Sequence, residues 1–333
     1  MTRVRSFAKI NLGLAVGPNR PDGFHALTTV YQTVGLHDFV TITAHQAPTT
    51  QIELTTNHAG VPSTATSDAH KNTAFVMVEK CLQRLGLTAE VTIDIDKRLP
   101  VQGGMGAGSA NAAAALLGLE RELNKALPLA DRLALAAEVG SDVPLFLLGG
   151  TVLGLSRGEA VYPLPDFPAT HAVVAVPKVG VSTKLAFAEL DKRAPSLTFP
   201  HGDDRLEQLS RVLAAVWTPD GTKTGPSGIA GRTSDLAENP LLALVRTGIE
   251  NDFEEVAFSQ HPSLRSTKRE LVGSGSSAAL YACLSGSGSA LFGLYSSHAH
   301  ALEAQQRVLE SGTEALLTET LPRAAYWDTM FAE

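Results

Sequence analysis

The chain has 333 residues, of which 44% are hydrophobic and 18% charged, so it can bury a substantial core and wholesale disorder is not expected. Its formal net charge of −7 argues against a nucleic-acid binder, which normally carries a basic face. Cys81 and Cys283 lie far apart without metal-ligand spacing. No secretory signal or bilayer-length apolar run is present. We therefore expect a cytoplasmic protein that acts away from membranes, in an oligomeric state that the sequence leaves open.

Strands dominate the first part of the chain. The alternating stretch 3–16 predicts a strand with Lys9 and Asn11 on one face, and the turn "GPNRPDGFHAL" follows it. The runs "LTTVYQTVGL", "DFVTITAH" and "TQIELTT" predict three further strands. The next predicted elements are a helix over "NTAFVMVEKCLQRLG", a strand over "AEVTIDIDK", helices over 109–124 and 128–139, and a turn with two strands over "GSDVPLFLLGGTVLGLSRGEAV".

The second part of the chain mixes helices and strands irregularly. The Pro-rich stretch "YPLPDFPATH" predicts a boundary between domains 1–166 and 167–333. Beyond it we predict a strand at "HAVVAVPK" and a helix from "STKLAFAEL". Helical patterns follow in 203–217 and 239–271, on either side of a mobile insertion at 218–237. The chain then continues through the segment "AALYACLSGSGSALFGLY" to a helix over 298–311 and a short last strand. Because no regular βαβ alternation is present, the fold class is α+β.

Four glycines stand within six residues between the strict strand and an alanine-rich helix: Gly103, Gly104, Gly106 and Gly108. Each glycine in regular structure costs roughly 0.5–1 kcal/mol relative to alanine, so a functional gain is expected to offset them. A helix N-terminus presents unpaired N–H groups, and glycine lets an anion approach the backbone closely. The alternative is a flexible linker, which seldom stands between a strand and a helix. The loop is therefore predicted to bind phosphate.

Two familiar phosphate loops do not fit these residues. A P-loop requires a lysine directly after its second glycine, and none follows here; a Rossmann fingerprint requires glycine where Ser109 stands. The segment from Pro100 through Met105 to Ser109 is instead similar to the loop of the GHMP kinases, the superfamily of galactokinase, homoserine kinase, mevalonate kinase and phosphomevalonate kinase. The stretches "AKINLGL" and "LSGSGSALFG" resemble the superfamily's other two motifs, in the same order.

Further stretches resemble one branch of that superfamily, which recognises a cytidine diphosphate-linked methylerythritol substrate: "RPDGFHALTTVYQ", "DKRLPVQGGMGAGSANAA", "GSDVPLFLLGG" and "GVSTKLAF". The resemblance implies an N-terminal ribosomal-protein-like α/β domain, a C-terminal ferredoxin-like domain and an active site in the cleft between them. It implies transfer of the γ-phosphoryl of ATP, with Mg²⁺, to the tertiary 2-hydroxyl of the methylerythritol portion. A kinase of the homoserine or mevalonate type and a non-catalytic nucleotide-binding protein remain alternatives.

The resemblance also assigns the catalytic pair. Asp142 matches the superfamily's catalytic aspartate and Lys9 its paired lysine. A nearby cation would keep the carboxylate ionised and stabilise charge on the transferred group. Taken alone, Asp142 would be read as a turn residue before a proline and Lys9 as a solvated strand residue.

The predicted substrate residues also follow from the resemblance. Asn11, Phe24 and His25 match its cytidine end, with Phe24 where the family usually has tyrosine; stacking on a pyrimidine survives that change, but a phenol hydrogen bond is lost. Thr183, with Ser182, matches a hydroxyl near the substrate, although either also suits a helix cap.

The predicted nucleotide residues are the loop and two positions of the adenine pocket, Asn72 and Lys97. The loop set is Pro100, Gly103, Gly104, Met105, Gly106, Ala107, Gly108, Ser109 and Ala110. Ala107 is harmless if its φ is negative, and Ala110 leaves Ser109 as the remaining hydroxyl for phosphate or metal. No metal ligand is predicted. The resemblance also places the second glycine turn, Leu284 to Gly293, at the cleft, whereas its residues alone indicate a plain hairpin.

Overall fold

The computed structural model describes residues 1–66, 68–101, 103–193 and 250–332. Its strands are β1 (Thr2–Asn19), β2 (His25–Gln46), β3 (Gln51–Thr56), β4 (Ala89–Asp96), β5 (Thr151–Ser156), β6 (Ala160–Pro163), β7 (His171–Val176), β8 (Tyr281–Leu284), β9 (Leu291–Tyr295), β10 (Glu314–Glu319) and β11 (Phe331–Ala332). Its α-helices are α1 (Thr73–Leu85), α2 (Ala107–Leu123), α3 (Leu129–Val139), α4 (Thr183–Arg193), α5 (Phe253–Gln260), α6 (Pro262–Val272), α7 (His298–Glu310) and α8 (Arg323–Asp328).

The first sheet is organised around the long strand β2. Its second half pairs with β4 and its first half with β5, while β1 runs antiparallel along both halves. The order across the sheet is β11-β1-β2-β4-β3, with β5 and β6 continuing from the other half of β2. The sequence predicted two strands here, and that prediction is wrong: Gly35 does not interrupt β2, because β1 pairs with it on both sides of the glycine.

Helices α1, α2 and α3 cover one face of the first sheet and enclose its core. The alanines of α2, from Ala112 to Ala115, are buried. A Cβ at Gly118 would lie 2.7 Å from Cγ1 of Ile42 on β2, so the helix approaches the sheet too closely for larger side chains at that point. The alanine-rich composition of this helix is therefore explained by close packing on the sheet.

The second sheet is antiparallel throughout, in the order β10-β7-β9-β8. Helices α4 to α7 pack with it around a second core that includes Val173, Phe253, Leu264 and Tyr295. Two sheets with their own helices confirm the predicted α+β class and two-domain organisation.

A third apolar cluster joins the two sheets. It takes Ile10 and Leu12 from β1, Val30 from β2, and Val174 and Phe292 from β7 and β9, and all of these side chains are fully buried. The two units therefore share an apolar cluster, which fixes their relative placement.

The chain crosses back to the first sheet after completing the second. Leu321 donates its N–H to the carbonyl oxygen of Thr33 at 2.8 Å, α8 follows, and β11 pairs with β1. The sequence did not predict α8. The boundary between 166 and 167 stays a prediction; residues 323–332, which it assigns to the C-terminal domain, pack on the first sheet.

The remaining helix predictions have three different outcomes. The helices over 109–124, 128–139 and 298–311 are confirmed within two residues. Part of the predicted 239–271 helix is described, and it divides into α5 and α6 at His261. The predictions for 203–217 and 218–237 lie outside the described residues. Within the described ranges, every helix is too short or too polar to span a bilayer.

Candidate active site

The glycine loop connects β4 to α2, as the sequence predicted. Gly104 and Gly106 have φ values of +76° and +70°, a left-handed conformation that favours glycine. A Cβ at Gly104 would overlap the carbonyl oxygen of Ser285, and one at Gly106 would press on Phe146 and Lys9. Gly106 is also the N-cap of α2 and offers it no side-chain cap. The amide end of the helix is therefore open to an anionic ligand.

The second glycine turn, between β8 and β9, packs directly on this loop. Ser285 donates its hydroxyl to the carbonyl oxygen of Gly104 at 3.1 Å, and the N–H of Ala290 donates to that of Gly103 at 3.1 Å. Asn251 holds the turn from behind by donating to the carbonyl oxygens of Leu284 and Gly286. The segment is thus a hairpin, as its residues alone indicate, and it also forms part of the site.

Lys9 lies where β1 passes beneath the glycine loop, and its side chain is 3% exposed. Its ammonium donates to Oδ1 of Asn11 at 2.6 Å and to the carbonyl oxygen of Gly104 at 2.8 Å. Oδ2 of Asp142 lies 3.5 Å away. Burial lowers the pKa of Lys9 from its usual value, and the charge of Asp142 opposes that shift. The lysine therefore links the glycine loop to the carboxylate of Asp142.

Asp142 stands in the turn between α3 and the short 3₁₀ helix Pro144–Leu147, with about a third of its side chain exposed. Tyr31 of β2 donates its hydroxyl to Oδ1 of Asp142 at 2.9 Å. Burial raises the pKa of Tyr31 well above its usual value, and the neighbouring carboxylate adds to the effect. Asp142 thus meets a cation at one oxygen and a neutral donor at the other.

The predicted cytidine residues occupy two places. Phe24 is 52% exposed, with the guanidinium of Arg157 over its ring at 5.0 Å. His25 stacks on Phe187 at 4.7 Å, and its Nε2 lies 2.7 Å from Oδ1 of Asp191.

Asn11 lies beside Lys9. It is buried, accepts from Lys9, and donates to the hydroxyl of Thr29 at 2.8 Å. Its contacts are therefore those of a residue that orients the ammonium.

Ser182 and Thr183 begin α4 opposite the second glycine turn. The Ser182 hydroxyl accepts from the N–H of Leu185 at 3.4 Å, which is the predicted capping role. The Thr183 hydroxyl lies 2.7 Å from that of Ser287. Thr183 therefore ties the helix to the turn.

The two predicted adenine-pocket residues make internal contacts. Asn72 caps α1 by accepting from the N–H of Ala74, and donates to the carbonyl oxygen of Pro62. Lys97 donates to Oδ2 of the fully buried Asp38 at 2.8 Å and to the carbonyl oxygen of Leu99 at 2.7 Å. Their contact with adenine stays a prediction.

The remaining loop residues lie at or beside the start of α2. Met105 is buried and its carbonyl oxygen accepts from the backbone N–H of Lys9 at 3.0 Å. Ala107 does not have a positive φ, so it fits without strain. Gly108, Ser109 and Ala110 form the first turn of the helix, and Pro100 precedes the loop. Among the residues described, no group of three or more His, Cys, Asp or Glu side chains could hold a metal ion.

Sequence reasoning did not single out Tyr31, Asp38 or Asn251. Tyr31 is opposite Asn11 in the pairing of β1 with β2. This register cannot be read from the sequence of either strand alone. Asp38 and Asn251 act through backbone groups distant in sequence. No local pattern marks such contacts.

Two family models match the chain, that of the GHMP kinases N terminal domain over residues 72–150 and that of the GHMP kinases C terminal over residues 235–314. The 4-diphosphocytidyl-2-C-methyl-D-erythritol kinase of Solibacter usitatus (strain Ellin6076) is 38% identical, covering 88% of this chain and 80% of the relative. That of Lachnospira eligens (strain ATCC 27750) is 31% identical, covering 96% and 98%.

Solved structures agree with these relatives. A crystal structure of 4-(cytidine 5'-diphospho)-2C-methyl-D-erythritol kinase has a TM-score of 0.66 at 27% identity and covers 96% of this chain and 98% of its own. The homoserine kinase of Cytophaga hutchinsonii has a TM-score of 0.65 at 20% identity, covering 97% and 95%, a likeness that concerns the fold alone.

Proposed function

The chain belongs to the GHMP kinase family, and from that membership we propose that it transfers the γ-phosphoryl of ATP to the 2-hydroxyl of 4-diphosphocytidyl-2-C-methyl-D-erythritol. The reaction class, an ATP-dependent kinase acting on a small molecule, follows from the family. The proposed product is the 2-phosphate, an intermediate of isoprenoid precursor synthesis by the methylerythritol route, and the proposed place of reaction is the cytoplasm.

One observation carries the proposal. The Lys9 ammonium lies 2.8 Å from the carbonyl oxygen of Gly104 and 3.5 Å from Oδ2 of Asp142. A phosphate on the loop and an alcohol at Asp142 would therefore meet beside a single buried cation. Phosphoryl transfer needs this proximity together with charge neutralisation.

In the proposed step, the triphosphate binds to the glycine loop and to the amide end of α2. Asp142 accepts the proton of the acceptor hydroxyl, whose oxygen forms a bond to the γ-phosphorus while the bond from that phosphorus to the bridging oxygen of ADP breaks. Lys9 stabilises the charge spread over the transferred group.

Mg²⁺ is proposed to enter with ATP. It commonly keeps several waters and binds mainly through substrate phosphates, so the lack of a three-ligand cluster among the described side chains is compatible with its use. Bound together with the triphosphate, it would neutralise charge that builds up during transfer.

The proposed cytidine end is the surface around Phe24 and His25. The ring of Phe24 is exposed on a loop and can stack on a pyrimidine. His25 is already fixed by Phe187 and Asp191, and it presents a ring edge of defined orientation. Ser182 and Thr183 remain proposed substrate contacts.

The experiment that tests this function follows ADP release from ATP and Mg²⁺ with a panel of alcohols. We expect turnover with the diphosphocytidyl compound alone. Turnover only with homoserine or mevalonate would contradict the proposed substrate, and the absence of any turnover would indicate a non-catalytic nucleotide-binding protein.

Asp142→Asn tests the proposed base. We expect kcat to fall by about 10²–10⁴-fold, the usual contribution of a general base, with nucleotide affinity nearly intact. Single-turnover assays and nucleotide titration measure the two quantities, and Asp131→Asn on the exposed surface is the matched control. An equal loss of both would mean that Asp142 is structural.

A further inference from the structure

The ring of Tyr31 occupies a slot formed by two glycines. Tyr31 is 2% exposed and lies on β2 against β5. A Cβ at Gly154 of β5 would come within 2.5 Å of Cε2 of the tyrosine ring, and a Cβ at Gly158, after β5, would overlap the phenol oxygen. Glycine within a strand weakens it, so the absent side chain at Gly154 indicates a requirement for the ring at that place. Gly158 lies in the turn after β5 with a φ of +101°, and it leaves room for the phenol oxygen.

The slot directs the phenol at one oxygen of the catalytic carboxylate. The Tyr31 hydroxyl donates to Oδ1 of Asp142 at 2.9 Å, and the oxygen that faces Lys9 at 3.5 Å is Oδ2. The two oxygens of Asp142 therefore have different partners, which fixes the rotation of the carboxylate.

We infer that Tyr31 is a positioning residue for phosphoryl transfer: by donating to Oδ1 of Asp142, it reserves Oδ2, beside Lys9, as the oxygen that takes the proton of the acceptor alcohol. This inference rests on the proposed function in giving Asp142 the role of base. It assigns to Tyr31 no contact with the substrate.

The charges around the carboxylate agree with this role. Lys9 faces it from β1 and Tyr31 from β2, while Glu159 acts on Tyr31 from the β5–β6 side and is itself paired with Arg157 at 3.2 Å. Because the pKa of Tyr31 is raised well above its usual value, the phenol stays protonated at neutral pH and can donate to the carboxylate. A donor to a carboxylate favours its ionised form, which is the form that a base requires.

Tyr31→Phe tests the inference by removing the hydroxyl and keeping the ring in its slot. We expect kcat to fall about tenfold with little change in KM, because the lost hydrogen bond is one made to a charged group. We also expect the acid limb of the kcat/KM profile to move to higher pH. Titration of the substrates contributes equally to both enzymes and cancels in the comparison.

The matched control is Tyr295→Phe. That tyrosine is also buried and donates to a carbonyl oxygen, that of Leu271 at 2.7 Å, within the second sheet's core. Its loss is expected to lower stability and to leave the acid limb in place. A Tyr31→Phe enzyme with an unmoved acid limb would overturn the inference, whether or not its kcat has fallen.

A second measurement covers the case in which Tyr31→Phe does not fold. Replacing all five tyrosines by 3-fluorotyrosine keeps the ring shape and makes the phenol a stronger donor. The acid limb is then expected to move to lower pH, and an unmoved limb would overturn the inference.

Failure of the proposed function is recognised separately, from the wild-type enzyme alone. If it turns over another alcohol, the same comparison is made with that alcohol. If it turns over none, the carboxyl carbon of Asp142 is titrated by ¹³C NMR, identified by its absence in Asp142→Asn. Removing the Tyr31 hydroxyl is expected to raise the midpoint of that titration, and an unchanged midpoint would overturn the inference.

Discussion

At the scale of single residues, burial of the Lys9 ammonium costs stability, and its proposed role in phosphoryl transfer would account for a cation at this position. Burial lowers its pKa from 10.5, so between the lowered value and 10.5 the unfolded chain binds more protons than the folded one. Stability contributed by this residue therefore rises as the pH rises through that window, and below it the cost of burying the charge is present in full.

Lys9→Met is expected to be inactive and at least as stable as the wild type at pH 7, because it removes the buried charge and leaves as partner Asp142, whose carboxylate is about a third exposed to water. Urea unfolding at pH 7 and near pH 10 measures the difference, which should shrink at the higher pH. A variant clearly less stable than the wild type at both pH values would contradict this account.

The buried carboxylate of Asp38 holds the segment that leads into the glycine loop. Its Oδ1 accepts the backbone N–H groups of Arg98 and Leu99, both at 2.7 Å, and its Oδ2 accepts from Lys97. Every contact is made to the segment that runs from β4 into the loop, so this carboxylate fixes where the loop begins.

Asp38→Asn is expected to lower the free energy of unfolding by about 3–5 kcal/mol, because it leaves Lys97 as an uncompensated buried charge. The double variant with Lys97→Met should recover part of that loss, as a double-mutant cycle in urea would measure. Additive losses would mean that the two side chains act independently.

At this scale the sequence was informative only where a family motif marks the residue. Lys9 and Asp142 stand in local motifs, so the sequence singles them out as the catalytic pair, and that assignment stays a prediction. Tyr31 could not be singled out in this way, because its proposed role depends on strand register and on Gly158, more than a hundred residues away. Asn11 illustrates the same limit: the motif identified the residue, while its contacts place it beside the ammonium.

At the scale of elements, two glycines of the glycine loop differ in how far the backbone requires them. Gly104 has a positive φ and no room for a Cβ, because the carbonyl oxygen of Ser285 lies there. Gly108 is helical, and a Cβ there would meet only the Thr73 hydroxyl at 3.5 Å, an ordinary contact. Of these two glycines, only Gly104 is required by the backbone conformation.

Gly104→Ala is expected to destabilise the protein by about 1–3 kcal/mol and to raise KM for ATP, since it strains the backbone and separates the two glycine turns. Gly108→Ala should be neutral or should stabilise by about 0.5–1 kcal/mol. Thermal unfolding and ATP titration compare the pair. Equal destabilisation by both changes would contradict the distinction.

Elements with strong local signals were predicted correctly, and those fixed by distant contacts were not. The strict alternation of β4 and the helix after the glycine loop needed no tertiary information. The continuity of β2 depends on pairing with β1 across Gly35, and α8 depends on a core that Tyr326 enters, where its hydroxyl donates to the carbonyl oxygen of Phe146. With six residues, α8 is also too short to show a periodic pattern in the sequence.

At the scale of the whole molecule, the apolar cluster between the sheets makes the two units depend on each other. Phe292 is fully buried in that cluster, together with residues of β1 and β2. A site built from loops of both units needs this fixed placement, because its hydrogen bonds to Gly104 are only 2.8 and 3.1 Å long. The existence of two domains was predictable from the resemblance, but their shared core was not.

Phe292→Ala is expected to lower the free energy of unfolding by about 3–5 kcal/mol, as for other buried aromatic residues. Loss of activity and loss of near-UV circular dichroism should coincide on heating, in one transition. Leu309→Ala, at a side chain 45% exposed, is the control and should change little. Two separated transitions in the wild type would contradict a common core.

The return of residues 323–332 to the first sheet has a consequence for biosynthesis. A ribosome makes the partner strand of β1 after every other strand of both sheets, since β11 follows β10 in the chain. During translation, the edge of β1 that pairs with β11 therefore stays unpaired until the last residues of the chain have been made. We expect chaperones that shield unpaired strands to engage this chain until its last helix has docked.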